Sequence, residues 1–395
     1  MKALLFPGQG VQKVGMMDFL LESDLEIKNL FTQTSNILDF DLFELIKTGP
    51  EQKLNLTEYA QPAILAASVA IARKKATDLD FSYTAGLSLG EYSALVFAGC
   101  IDFNDAIKLV NFRGKLMQNA VPEGTAGMLV VLNMPLSEVK EMIISINDTG
   151  EVIDFSTDNA EGVSVLAGTN SAIKATIKHI ENGDYKRVKT QLIQMSVPSH
   201  CSLLESAQTE LGKLLNEVAF NSPRIPVIPN VLARPTTDTN EIKEALIKQL
   251  CSTVRWRETL EYLVKNNIKV VGFDANADLS LNYLKKGKRV TFADVEDPGF
   301  WSKLRFGKLD VIILSLPEFK VQNWSIQQAR KFGFNGKIIV PTRSQGDPNI
   351  LRMSGADEIY DASSVGHADG FYAVDISSKN PISHRSQLGQ YEMMI

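Results

Sequence analysis

Short apolar runs and amphipathic stretches alternate along most of the chain. Met1 to Phe6 is an apolar run ended by Pro7-Gly8-Gln9-Gly10, which predicts a buried strand and then a loop. The Ala-rich stretch from Tyr59 to Lys75 predicts a core helix by propensity. Between Phe81 and Cys100 a short apolar strand meets the turn Gly86-Leu87-Ser88-Leu89-Gly90 and passes into a run of Ala, Leu and Val, so strand, sharp turn and helix follow one another.

From about Gly127 to about Gln194 apolar strands alternate with polar-faced helices. MLVVLNM, EVIDFST, VSVLAG and VKTQLIQM are the strands, LSEVKEMIISI and SAIKATIKHIEN the helices, and their order is βαββαβ. That is the split arrangement of a ferredoxin-like fold, expected over residues 127–194. Mixed α/β patterning returns through Ile225 to Val231 and Ile268 to Phe273, so the small unit reads as inserted into a large subdomain built from residues 1–126 and 195–290. Two subdomains in this arrangement leave a cleft. After the basic stretch KKGKR, residues 294–395 form a further region in which LDVIILSLP, GKIIVPT and DEIYDAS alternate with two helical stretches, a small parallel α/β sheet of half-Rossmann-like type. The tail from Ser377 is polar and expected to fray.

A net charge of −5 on 395 residues argues against nucleic acid as partner, because phosphate binding is driven by Lys and Arg. No apolar stretch approaches a membrane span and the amino terminus is too short for a secretory signal, so no membrane is expected. Cys100, Cys201 and Cys251 match neither a disulfide framework nor a zinc site, which points to the cytoplasm and to no metal.

Gly86-Leu87-Ser88-Leu89-Gly90 matches the nucleophile-elbow pattern, where small residues let a strand turn sharply into a helix with the serine exposed at the bend. The helix amino terminus favours developing negative charge there. An ordinary helix N-cap in a Gly-rich turn has the same appearance, so a base is needed to decide. Of the four histidines, His179 sits in a polar helix and His367 and His384 lie in the carboxyl-terminal region. His200 follows a strand and a proline turn where the inserted unit rejoins the large one, which makes it the best-placed base.

LLFPGQG, GLSLGEYSAL, LVNFRGKLMQNAVPEGTAGM, VPSHCSLL and LIKQLCSTVRW, in this order, resemble the malonyl-CoA:acyl carrier protein transacylase family over about the first 290 residues. The resemblance implies an α/β-hydrolase-like acyltransferase core. It implies Ser88 as the acylated nucleophile, His200 as its base, Arg113 as the partner of the malonate carboxylate, the backbone N–H groups of Gln9 and Leu89 as the oxyanion hole, and the Gln249 main-chain carbonyl as the group that orients the histidine. It further implies malonyl-CoA and a phosphopantetheinylated acyl carrier protein as partners, and no cofactor. The chain departs from the family pattern at Leu87, where His is common; at Val163, where Gln is usual; and at Phe273-Asp274-Ala275-Asn276-Ala277, in place of Gly-Pro-Gly.

Two other functions fit the same blocks: an acyl-carrier-protein hydrolase that clears wrong acyl groups, and a non-catalytic scaffold for carrier proteins. Arg113 speaks against the first, because neutral acyl chains offer no carboxylate, and the joint presence of Gln9, Ser88, Arg113, His200 and Gln249 against the second. Lys186, Arg187 and Lys189, with Lys285, Lys286 and Lys288, are candidates for docking an acidic carrier protein. The run from Ala329 to Ser363 resembles the later half of nucleotide-binding domains of potassium-uptake regulators, although no G-x-G-x-x-G cradle for a dinucleotide is present.

Overall fold

The computed structural model describes residues 2–17, 24–76, 80–122, 124–183, 185, 187–193, 197–265, 272–274, 290–292, 295–304, 306, 309, 311–314, 316, 318–342, 347–361 and 372–375. Lys186, Lys285, Lys286, Lys288, His367, His384 and the segment Ala275–Ala277 lie outside them. The chain packs as two compact units, Ala3–Leu263 and Val264–Ile395 with Met1 and Lys2. The division therefore falls well before the start at 294 expected for the carboxyl-terminal region.

In the first unit, β1 (Lys2–Phe6), β2 (Tyr83–Gly86) and β7 (Val227–Ile228) form a parallel sheet in the order β1-β2-β7, with Phe6 opposite Gly86 and Ala85 opposite Ile228. Leu4, Phe6, Ala85, Val227 and Ile228 are all buried, as the continuous apolar runs of a sheet covered on both faces require. The helices that set the site are α1 (Thr57–Lys75), α2 (Gly90–Phe97) and α3 (Phe103–Ala120). Asp102 caps α3 by accepting from Asn104 N. The helices Leu25–Leu38 and Leu42–Thr48 are additional to those expected from the sequence; Asp24 and Asp41 cap them.

After α3 come β3 (Ala126–Leu132), α4 (Leu136–Asn147), β4 (Ile153–Ala160), β5 (Val163–Thr169), α5 (Asn170–Asn182) and β6 (Lys189–Ile193). Their sheet runs β4-β5-β3-β6, antiparallel at every step. Leu129 and Val131 of β3, Val139, Met142 and Ile146 of α4 and Ile173 and Ile180 of α5 share one core. The pleat sends Met128 and Val130 to the opposite face, where they too are buried.

The chain returns through α6 (Glu205–Glu217) and β7 to α7 (Thr239–Lys248) and α8 (Trp256–Lys265). Along the outer edge of β4, Val254 N donates to Ser156 O at 2.9 Å and Asp158 N to Val254 O at 3.0 Å, in parallel pairing. Arg257 clasps Asp158 with Nη2 at 2.9 Å from Oδ2. Thr253 Oγ1 donates to Phe155 O at 2.6 Å.

In the second unit, β8 (Gly272–Asp274) pairs in parallel with β9 (Val290–Phe292), and β10 (Val311–Ile313), β11 (Lys337–Thr342) and β12 (Glu358–Asp361) form a parallel sheet in that order. The helix α9 (Phe319–Lys331) buries Ile326 and Ala329 against Trp301, Phe334, Ile338, Val340 and Leu351.

Candidate active site

The elbow is a steric necessity of two glycines. A Cβ on Gly86 would stand 1.9 Å from Gly90 C, and one on Gly90 would stand 2.4 Å from Phe6 O. The end of β1 therefore presses directly on the start of α2, and Leu87 N donates to Phe6 O at 3.0 Å. Between the glycines Ser88 takes φ 51°, a left-handed conformation that costs a non-glycine residue about 1–3 kcal/mol and that the surrounding contacts enforce. Its amide donates to Asn230 Oδ1 at 2.6 Å, while Asn230 Nδ2 donates to Gly86 O at 2.6 Å. One buried asparagine thus holds both sides of the bend. Leu89, buried, opens α2, where an N–H has no intrahelical acceptor.

His200 comes to the serine from the segment between β6 and α6, also in a left-handed conformation at φ 58°. Ser156 Oγ of β4 donates to Ser199 O at 2.7 Å, and Asp154 Oδ2 accepts from Ser202 N at 2.8 Å and Ser202 Oγ at 2.7 Å, so β4 fixes the loop on both sides of the histidine. His200 Nε2 lies 2.7 Å from Ser88 Oγ and Nδ1 lies 2.7 Å from Gln249 O. A carbonyl can only accept, so Nδ1 carries the proton and Nε2 is free to accept from the serine hydroxyl. Burial, and after it the nearby Arg113 charge, press the imidazole pKa down to about 3, so the ring is neutral.

Arg113 of α3 is almost fully buried, with Nη2 at 3.3 Å from Ser88 Oγ and 3.1 Å from Gln249 Oε1. Its Nε has no acceptor among the described residues. Gln249 Nε2 donates to Ser88 O at 3.0 Å and to Glu91 Oε2 at 2.8 Å. Gln9 turns its side chain away towards α1, donating to Thr57 Oγ1 at 3.2 Å and accepting from Gln61 Nε2 at 3.5 Å, so its main chain is what it can offer the elbow. Ser88, His200, Arg113 and Gln249 are in one constellation. Asn230 and Glu91 were not singled out from the sequence; the one signal for them is an Asn and a Glu at positions that pattern as buried. Among the described residues no cluster of three or more His, Cys, Asp or Glu could hold a metal ion.

A hydroxyl on a neutral imidazole, beside a helix amino terminus and a guanidinium, is equipped for nucleophilic attack on a carbonyl and for exchange of an acyl group. That chemical class agrees with the comparisons. The chain belongs to the family of the acyl transferase domain, whose description matches residues 3–278. It is 42% identical over 276 residues to the malonyl CoA-acyl carrier protein transacylase of Haemophilus influenzae, covering 68% of this chain and 86% of that protein. An acyl carrier protein S-malonyltransferase structure from Vibrio cholerae is 42% identical with a TM-score of 0.64, covering 67% of this chain and 87% of that one. A malonyl-transacylase solved in complex with its type II PKS acyl-carrier protein is 30% identical with a TM-score of 0.63, covering 89% of this chain and 98% of that one. Residues 257–361 match the TrkA-N domain, a stretch that begins before the expected boundary at 294. No described helix is long and apolar enough to cross a membrane.

Proposed function

We propose that this chain transfers malonyl groups from malonyl-CoA to the phosphopantetheine thiol of an acyl carrier protein, through a malonyl ester on Ser88. The observation that carries the reading is the contact of His200 Nε2 with Ser88 Oγ at 2.7 Å, with Nδ1 anchored on a carbonyl. His200 takes the Ser88 proton as Oγ attacks the thioester carbon. The C–S bond breaks and coenzyme A leaves with that proton. The pantetheine thiol then gives its proton to His200 as its sulfur attacks the ester, and Ser88 recovers the proton as its C–O bond breaks. The sulfur of coenzyme A is a far better leaving group than an amide nitrogen and needs less help from the imidazolium proton, so a carbonyl in place of a triad acid is sufficient.

Arg113 is the residue we assign to the malonate carboxylate. Its Nε is a buried charged donor with no acceptor among the described residues, and an incoming carboxylate supplies one. Pairing with the carboxylate also offsets the guanidinium charge that helps to depress His200, which makes the imidazole a better base once malonyl-CoA is bound. The N–H groups of Leu89 and Gln9 are the donors we assign to the oxyanion.

The strand order β4-β5-β3-β6 supports reading residues 127–194 as a ferredoxin-like subdomain inserted into a large one formed by residues 1–126 and 195–290. The parallel strands β10, β11 and β12 and the TrkA-N match support a half-Rossmann-like reading of the second unit. Three unpaired cysteines are in keeping with work in the cytoplasm. Exposure to malonyl-CoA is expected to add one malonyl mass to the intact protein and none to Ser88→Ala. An adduct that persists in the variant, or maps to Cys201, overturns the assignment.

A further inference from the structure

Glu91 lies on α2 within one turn of Ser88, wholly buried. Its Oε2 accepts from Gln249 Nε2 at 2.8 Å and from the backbone N of Asn230 at 2.9 Å. Each of those partners serves the elbow. Asn230 bonds Ser88 N and Gly86 O, while Gln249 bonds Ser88 O, receives Arg113 on Oε1 and anchors His200 through its carbonyl. Glu91 therefore joins the clamp on the nucleophile's backbone to the clamp on its base.

We propose that Glu91 is a positioning residue of the acyl-transfer reaction: its buried oxygen fixes the orientation of the Gln249 amide and the Asn230 backbone, and through them the alignment of Ser88, His200 and Arg113. The proposal rests on the reading of Ser88 and His200 as nucleophile and base.

The physical reason is the two-fold ambiguity of a side-chain amide. Rotated half a turn about its last bond, Gln249 would present its oxygen to Glu91 and Ser88 O, both acceptors, and its NH₂ to Arg113, a donor. The Glu91 oxygen penalises that flip and leaves Oε1 facing the guanidinium. Remove it, and a buried amide and a buried N–H lose their acceptor. Both donors converge on the single atom Oε2, while Oε1 has no partner among the described residues, so what the site uses is an acceptor and not a second charge-assisted bond. Burial raises this carboxyl to about 7, and the neutral acid still offers its carbonyl oxygen to the same two donors.

The test compares Glu91→Gln, Glu91→Ala, Gln249→Ala and the double variant Glu91→Ala/Gln249→Ala in the full chain by two readouts. One is the single-turnover rate of Ser88 malonylation from malonyl-CoA by quench-flow mass spectrometry. The other is the Nδ1–H proton resonance of His200 in the free, ¹⁵N-histidine-labelled protein. Glu91→Ala is expected to slow malonylation roughly ten-fold or more and to shift or broaden the resonance, whereas Glu91→Gln, which keeps an acceptor, stays within roughly three-fold with the resonance in place. In the Gln249→Ala background the further loss from Glu91→Ala shrinks to less than roughly three-fold, because the two residues act as one unit. The proposal fails if Glu91→Ala is as fast as the parent, if Glu91→Gln is as slow as Glu91→Ala, or if the two single losses multiply in the double variant. Should Glu91→Ala not fold, Gln249→Ala decides by the resonance, and an unmoved signal overturns the proposal. A parent protein that takes up no malonyl group refutes the Ser88 reading alone, while the resonance still tests Glu91.

Discussion

Arg113 Nη2 donates to Gln249 Oε1 at 3.1 Å, so the guanidinium is held at the nucleophile by the residue whose main-chain carbonyl anchors the base. The Arg113 guanidinium and the His200 imidazole are thereby held in one hydrogen-bond network. Replacement of Arg113 by Ala is expected to lower kcat/KM for malonyl loading about ten- to a hundred-fold, the equivalent of about 1.5–3 kcal/mol for charge-assisted bonds to a carboxylate. Acetyl loading is expected to fall much less, because a methyl group has nothing to pair with the guanidinium. Parallel loading assays with malonyl- and acetyl-CoA check this, and equal losses would reduce Arg113 to a support for Gln249.

The acid limb of the serine-acylation rate is expected well below the ordinary imidazole value near 6.5. His200 is buried beside Arg113 and its pKa is lowered to about 3, so the free protein keeps a neutral base across the neutral range. A profile of kcat/KM for malonyl-CoA against pH tests it, and a limb at the ordinary imidazole value would show that the ring is solvated.

Glu91→Gln is expected to gain stability relative to the parent as pH rises from about 5 to about 8. The folded carboxyl pKa is raised from 4.5 to about 7 by burial, so the fold binds this proton more tightly than the unfolded chain does. The contribution is full below 4.5 and is lost as pH climbs through the folded value. His200 has the opposite sign, since its neutral form is favoured in the fold and its contribution is lost as pH falls below 6.5 towards 3. Between 4.5 and 6.5 the two slopes oppose each other, and only removal of the Glu91 titration exposes the other. Thermal melts of both proteins across this range provide the measurement.

Asp158→Asn is expected to cost about 1–3 kcal/mol, less than the full cost of breaking a buried pair because Arg257 is partly exposed. The same change is expected to slow acylation of Ser88, since β4 holds the His200 loop and pairs with the chain that follows Gln249. Denaturant melts with loading rates at saturating malonyl-CoA separate the two effects. Loss of stability with an unchanged loading rate would limit the pair to holding the fold.

Gly90→Ala is expected to destabilise by about 1–3 kcal/mol or more and to abolish loading, because its Cβ would stand 2.4 Å from Phe6 O and 2.6 Å from Pro7 O. Both contacts are backbone and cannot be relieved by a rotamer change. A soluble, active Gly90→Ala protein would mean that the β1 loop can withdraw from the elbow.

By itself the sequence determined the local features. The apolar run of β1, the turn of the elbow and the period changes between residues 127 and 194 follow from spacing, because strand and helix periodicity and glycine sterics act over a few residues. The five blocks also named Ser88, His200, Arg113 and Gln249 through their resemblance to a family. The tertiary structure decided what joins those blocks. Asn230 and Glu91 sit far from one another in the chain, within apolar surroundings where a lone polar residue carries no visible partner, and their role appears only when 139 residues of separation close to a 2.9 Å bond. The carbonyl that sets the tautomer of His200 was named only through the resemblance, since it lies 49 residues away and a main-chain oxygen has no residue identity that spacing or composition reveals. Nor does periodicity record where the first packing unit ends, at Leu263, since that is set by contacts between residues distant in the chain.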